Sequence, residues 1–427
     1  MIRPAVVLLS ACGLAGCGPQ DPFTALERSA LEGFLLPSTP PASPTNAYAD
    51  SPAAAALGQQ FFFDTRFSGA LGIADDGTNG GLGATGETGR VGCASCHDPA
   101  AGGVDHRSTP PNVSLAAGYT KRNAATVLNS AYQLWQFWDG RKDSLWAQAL
   151  GPAESPVEHN GSRLLFAHII YDLYRAPYEA VFGALPDLSD AVRFPPEGKP
   201  GDPAWDGMAA ADQDAVNRVF ANFGKALEAY ERLLVDRDSP FDRFMGGDES
   251  ALSEPAIRGA KLFVGRASCN ECHFGGNLTD GAFHNVGTPQ MGPNVPAVDD
   301  GRTAGIATVL ADPFNGAGDY SDDPSAAGHL DGLAAGPADE GAFKTPTLRS
   351  VALTAPYMHN GVLSSLRDVV LHYRDGGGPA GSYSGTLDPS IFPLTLSDQD
   401  VDDLVAFLDA LTGAPLPAAL TTAPVLP

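Results

Sequence analysis

Two pentapeptides constrain this chain more than anything else in it: Cys93-Ala94-Ser95-Cys96-His97 and Cys269-Asn270-Glu271-Cys272-His273. Cys-x-x-Cys-His is the attachment pattern of c-type haem. Both thiols bond covalently to porphyrin vinyl groups, and the adjacent His turns back to ligate the iron. A chain with two such motifs must leave two haem-sized apolar cavities and hold each His firmly. A four-cysteine zinc site places its pairs about 15–20 residues apart; these pairs are far more distant, and zinc has no need of a His after each. A thioredoxin-like pair accounts for one motif, not for two that both end in His.

The remaining cysteines agree. Of six, four belong to the motifs and two, Cys12 and Cys17, lie at the N-terminal end. The body of the chain then has neither a disulfide nor a spare thiol. With 427 residues, 43% of them apolar, the chain can build two haem domains, each with its own core. A formal charge of −24 excludes nucleic acid and anionic lipid as partners and favours a basic electron donor.

Met1 to Gly16 carries one cation, Arg3, and an apolar run from Ala5 to Ala15, too short to span a bilayer. It reads as a secretion signal, which places the protein on the periplasmic side of a bacterial envelope. Leu14-Ala15-Gly16-Cys17 resembles a lipoprotein box, so residues 1–17 are expected to be a lipoprotein-type signal. A lipid on Cys17 would be the only membrane attachment; ordinary cleavage nearby is the alternative. Residues 18–46, rich in Pro, Ser and Ala, read as a flexible tether. The first haem domain is expected at 47–245 and the second at 246–427.

Helices are expected at Ala53–Phe63, Arg163–Tyr174 and Asp212–Val235, the last with a 3.6-residue stripe of Val216, Phe220, Phe223, Leu227, Tyr230 and Leu234. Two more should start at serine caps, Ser253 and Ser397. Asn294 to Gly341, rich in Gly, Asp and Pro, reads as an irregular, solvated surface excursion, its acidic residues lacking the spacing of a calcium loop.

An internal repeat follows the two motifs. Thr126-Val127-Leu128-Asn129-Ser130-Ala131 matches Thr347-Leu348-Arg349-Ser350-Val351-Ala352, and without a gap Asp139-Gly140 falls on Asn360-Gly361 and Ser144-Leu145 on Ser365-Leu366. This reads as two copies of one haem fold. At the same offset Pro152 falls on Tyr373. A phenol oxygen can ligate ferric iron, whereas a proline side chain has no donor. One iron would be capped and the other open, unless Tyr373 is a packed aromatic.

From about Ala53 to Gly413 the chain resembles the bacterial di-haem cytochrome c peroxidase and MauG superfamily. The resemblance is carried by Gln136-Phe137-Trp138-Asp139-Gly140-Arg141, Gln148-Ala149-Leu150-Gly151-Pro152, Pro156-Val157-Glu158, and Thr345-Pro346-Thr347-Leu348-Arg349 through Ala355-Pro356-Tyr357-Met358-His359-Asn360-Gly361, beside the two haem motifs. It implies a mainly α fold of two cytochrome-c-like haem domains related by duplication, with long irregular loops. It also implies two covalent haems c, with His97 and His273 as proximal ligands. Cys93, Cys96, Cys269 and Cys272 would attach the haems. Trp138 would lie between the haems. Gln148 and Glu158 would sit over the first iron, and Tyr373 would ligate the second, where ordinary peroxidases have Met and MauG has Tyr. Asn123, Thr354 and the Pro356 carbonyl match a calcium position. The implied chemistry is peroxide reduction, and a carboxylate that moves the proton between peroxide oxygens contributes about 10²–10⁴-fold.

Two departures shape the expectation. Ordinary members often carry a second His over the first iron, but Asn112 to Tyr119 has none, and His106 lies close after His97, so the first haem should be open at rest. Tyr373 in place of Met should lower the second haem's potential and stabilise the higher iron oxidation states. The leading function is a peroxidase that reduces hydrogen peroxide with electrons from a small cytochrome c or cupredoxin. Its rival is a MauG-like oxidase of a protein side chain or small molecule. A non-catalytic electron carrier would need both irons six-coordinate.

Overall fold

A computed structural model describes residues 21–73, 81–107 and 113–427. Cys17 and its lipoprotein box lie outside the described residues. The chain is mainly helical: α1 (Ala25–Glu32), α2 (Pro52–Phe63), α3 (Leu145–Glu154), α4 (Arg163–Leu173), α5 (Arg175–Phe182), α6 (Pro203–Asp206), α7 (Ala210–Glu231), α8 (Pro240–Met245), α9 (Glu254–Phe263), α10 (Arg302–Ala311), α11 (Leu366–Arg374), α12 (Asp398–Asp409) and α13 (Ala418–Thr421). Sheet is confined, among the described residues, to an antiparallel pair, β1 (Phe283–His284) with β2 (Phe343–Lys344). Among the described residues no helix is long and apolar enough to cross a membrane.

Serine side chains start most of the helices that matter. Ser51, Ser144, Ser253, Ser365 and Ser397 each accept a hydrogen bond from a backbone N–H of the first turn, satisfying a donor the helix leaves free. Pro52 and Pro255 sit in the first turn, where the missing N–H costs nothing.

Each half is built on one crossing. In the first, α2 crosses α7 where Gly58 meets the Ala226 carbonyl; a Cβ on Gly58 would lie 1.9 Å from that oxygen. In the second, α9 crosses α12 where Gly259 meets the Asp403 carbonyl, again at 1.9 Å. Only glycine allows the backbones this close. Apolar residues gather on each crossing: Phe61, Phe62, Trp146, Phe166, Phe223 and Tyr230 around the first, Phe241, Phe263, Leu404, Phe407 and Leu411 around the second.

The local geometry recurs at the spacing of the sequence repeat. Asn129 and Ser350 both take the left-handed conformation before a short 3₁₀ turn. Phe137 and Met358 share positive φ, as do Gly140 and Gly361. Isolated bridges join Gln136 to Lys142 and Tyr357 to Leu363. α3 and α11 follow from Ser144 and Ser365.

Three expectations change. Residues 21–46 are not a tether. Phe23, Leu31 and Phe34 bury in the second core against Phe241, Phe244 and Phe263, because the segment's few large apolar residues recur at helical spacing and α1 starts from a Thr24–Glu27 capping box. Next, the chain crosses to the first half, where Thr45 and Asn46 bond Trp146 and Glu228. The expected halves, 47–245 and 246–427, are interlocked rather than contiguous. Phe241 and Phe244 of α8 belong to the second core, while Phe314, Leu416 and Leu420 pack on the first. Finally, 294–341 is no solvated loop. It contains α10, and its carboxylates pair with cations of the first half: Asp299 with Arg122, Asp312 with Lys142 and Asp322 with Lys225. The acidic residues that made it look solvated fasten it down.

Candidate functional site: two cysteine motifs and a cavity at the second

Cys93–Ser95 and Cys269–Glu271 form matching 3₁₀ turns, and the next His N–H closes each on the first cysteine carbonyl (His97 to Cys93, 3.0 Å; His273 to Cys269, 2.9 Å). Each ring then bonds a carbonyl through Nδ1: His97 to Gly103 at 3.3 Å and His273 to Leu278 at 3.0 Å. That leaves Nε2 of each for a metal. Burial holds both imidazoles below their ordinary pKa, so they are neutral and have no proton to lose on ligation. The cysteine pairs occupy different clusters, Cys93 and Cys96 in the first half and Cys269 in the second core, so they do not share a zinc ion.

The second cavity has a volume of about 270 Å³ and two characters. Phe263, Leu348, Leu366, Val369, Val370, Leu404 and Leu408 line an apolar part. Asn123, Gln133, Gln136, His284, Lys344 and His359 line a polar part. An amphipathic porphyrin, apolar in its ring and acidic at its propionate edge, fits this lining. Tyr373, on α11, lines the cavity, and its hydroxyl makes no hydrogen bond among the described residues. Burial first, then Cys272 and Cys269, push its phenol pKa up, so without a cation in the cavity it keeps its proton.

At the first motif, Cys93 packs on the core, and Cys96 on Leu71, Val91 and Leu115. Glu158 follows α3 on a turn whose backbone is pinned: its carbonyl accepts from Ala117 N–H and that of Val157 from Gly118 N–H, both at 3.0 Å. That ties the turn to Ala117, which shares a buried cluster with Cys96. Gln148 and Pro152, four apart on α3, share a face. Val369 and Tyr373 occupy the equivalent face of α11, and that face lines the second cavity. The described part of the 112–119 stretch, from Val113, contains no His, while Asn112 lies outside the described residues. His106 is exposed, with its ring bonded to the Ala101 carbonyl.

The two halves meet through paired hydrogen bonds. Asn123 N–H donates to the His359 carbonyl, and Lys344 N–H to the Trp138 carbonyl, each at 2.7 Å. By the repeat, Asn123 pairs with Lys344 and Trp138 with His359, so the seam is pseudo-symmetric. Trp138 lines the second cavity and donates its indole N–H to the Asn123 carbonyl at 2.9 Å.

Asn123, Thr354 and Pro356 all line the second cavity. The Asn123 amide donates to the Pro356 carbonyl at 2.6 Å, and the Thr354 hydroxyl donates to Val351. Both side chains act as donors here, so the oxygen lone pairs of Asn123 and Thr354 stay available to a cation.

Three residues were not singled out by sequence: Lys344 and His359, which line the second cavity, and Glu231, which does not. Lys344 and His359 become visible when the repeat is extended to the partners of Asn123 and Trp138. Glu231 on α7 is placed as Leu408 is on α12, by the equivalence of the two glycine crossings. It is buried, one carboxylate oxygen has no partner, and burial with neighbouring Glu228 pushes it up to about 8. Only the three-dimensional crossing reveals it.

Residues 52–250 match the family model of the di-haem cytochrome c peroxidases. The cytochrome-c peroxidase IdrP1 of Denitromonas iodatirespirans is 34% identical over 423 residues, covering 96% of this chain and 93% of its own. The methylamine utilization protein MauG of Methylorubrum extorquens is 31% identical over 381 residues, covering 88% of this chain and 82% of its own. The crystal structure of the diheme peroxidase BthA from Burkholderia thailandensis superposes with a TM-score of 0.61 at 23% identity, over 92% of this chain and 99% of that one, a likeness of fold.

Proposed function

The chain belongs to the di-haem cytochrome c peroxidase family, oxidoreductases that act on peroxide and carry two covalently bound haems c, and from that premise we propose that it reduces hydrogen peroxide at its first haem. That haem hangs on Cys93, Cys96 and His97. Electrons come from a small cytochrome c or cupredoxin and pass through the second haem, held by Cys269, Cys272, His273 and Tyr373. Membership of a peroxidase family removes the electron-carrier reading. The haem domains are read as one duplicated unit, supported by the recurring geometry at the repeat spacing.

The carrying observation is the contrast between equivalent helix faces: Gln148 and Pro152 on α3, Val369 and Tyr373 on α11. When bound at the first motif, a haem would supply peroxide binding and its two-electron reduction. The protein supplies the rest. Pro152 offers no ligand, Glu158 accepts a proton from the near oxygen and returns it to the far one, and Gln148 orients the bound molecule. Trp138, on the seam between the halves, carries electrons between them. Glu158→Gln tests this: with both haems retained, the bimolecular peroxide rate should fall by about 10²–10⁴-fold. An unchanged rate removes Glu158 from the reaction.

One observation favours a second reading, a MauG-like oxidase of a protein side chain or small molecule. The Tyr373 hydroxyl, without a hydrogen-bond partner among the described residues, is free to ligate, and an anionic oxygen ligand favours storage of oxidising equivalents over electron uptake. A long-lived oxidised state after one equivalent of peroxide, shortened in Tyr373→Met, would select this reading. Export to the periplasmic side with a lipid on Cys17 belongs to the same proposal.

A further inference from the structure

Lys344 is buried, with a relative exposure of 8%, on β2 in the lining of the second cavity. Its ammonium has three donors and, among the described residues, one partner, the neutral Gln133 side-chain oxygen. No carboxylate among the described residues lies within ion-pair distance of it. The nearby Asp280 is already taken, bonded to the His284 ring at 2.9 Å. Every other strongly buried cation near the seam has its anion or its carbonyls: Arg122 has Asp139 and Asp299, and Arg302 bonds the carbonyls of Asp139 and Gly140. Lys344 stands apart.

A buried charge without a counter-ion is expensive, and burial alone pushes this ammonium down to about 8. The protein tolerates it if something absent from the polypeptide supplies the anion. The bound haem brings two carboxylates on the ring edge remote from the vinyl groups that the cysteines hold. Phe263, Leu404 and Leu408, part of the second apolar core, disfavour that edge, whereas the bonded pair Lys344 and Gln133 offers it polar partners in the same lining. We propose that Lys344 is the counter-ion of a propionate of the second haem, with Gln133 holding its ammonium in place. The repeat places a neutral residue, Asn123, at the matching position of the first half, and its amide is engaged with Pro356. The pairing is therefore special to the second haem and sets that haem's potential apart.

The inference rests on the second haem occupying this cavity, as proposed above. A haem count separates the two: wild-type protein with two haems and a Cys269→Ala, Cys272→Ala variant with one establishes the cavity independently of Lys344. The test is a spectroscopic redox titration of the full-length holoprotein. Lys344→Gln should shift the oxidised-to-reduced ratio of the second haem about tenfold towards oxidised at a fixed ambient potential, 59 mV for one electron. The first haem should not move, and Lys344→Arg should titrate like wild type. If Lys344→Gln retains one haem and Lys344→Arg two, the charge is needed for holding the cofactor, and the proposal stands. An unshifted second haem in Lys344→Gln overturns it. So does an equal shift of both haems, or loss of the second haem in the Arg variant as well, which would make the role one of shape.

Discussion

Gly259→Ala is expected to destabilise the second half although alanine is the better helix former. In an exposed helix interior the exchange is worth about 1 kcal/mol in favour of alanine. Here the new Cβ would lie 1.9 Å from the Asp403 carbonyl oxygen, 2.7 Å from its carbon and 2.8 Å from Phe407 Cβ. None of these is the end of a flexible side chain, so α9 and α12 must separate. Separation loosens the Phe263–Phe407 contact, whose centroids are 5.2 Å apart. Overpacking of this kind costs about 1–3 kcal/mol, and an inflexible backbone on one side puts it at the upper end. The expected net loss is about 2 kcal/mol, a fall in melting temperature of about 4–8 °C for a unit of this size. Calorimetry of the holoprotein reads it, and Gly58→Ala, facing the Ala226 carbonyl at the same distance, should fall likewise. An alanine variant melting at or above wild type would show that propensity outweighs the crossing, and the equivalence of the halves would lose its physical basis.

Two further outcomes are expected. Glu231 is held up to about 8 by burial, against 4.5 when exposed, so the folded state keeps a proton that the unfolded state releases between those values. Stability therefore falls as pH rises through that window, and Glu231→Gln should remove a penalty of a few kcal/mol at pH 8 and almost none near pH 4.5; equal melting shifts at both pH values would refute the assignment. Cys17→Ser should move the protein from the membrane to the soluble fraction, and a wild type that is already soluble would refute the lipid anchor.

Much of the site was legible because covalent chemistry fixes short motifs: Cys-x-x-Cys-His must be contiguous, and its neighbours His97 and His273 need only one nearby carbonyl each. The repeat was legible for the same reason, since left-handed residues such as Asn129 and Ser350 recur at fixed offsets. What the sequence concealed depends on partners distant in the chain. Asp299, Asp312 and Asp322 look solvated until Arg122, Lys142 and Lys225 are found opposite them. Residues 21–46 look like a tether because Pro, Ser and Ala dominate, while burial is decided by three residues, Phe23, Leu31 and Phe34. Lys344 and Glu231 are ordinary charged residues in the sequence, and only burial marks them out.

The central claim is that one haem is open and the other capped by Tyr373 before any reduction. The electron paramagnetic resonance and electronic spectrum of the ferric protein as purified, beside that of Tyr373→Phe, tests it most directly. The account predicts one five-coordinate high-spin and one six-coordinate haem in the wild type, with the six-coordinate signal alone altered in the variant and two haems retained in both. Two six-coordinate haems in the resting protein, or a variant spectrum identical to wild type, would contradict it.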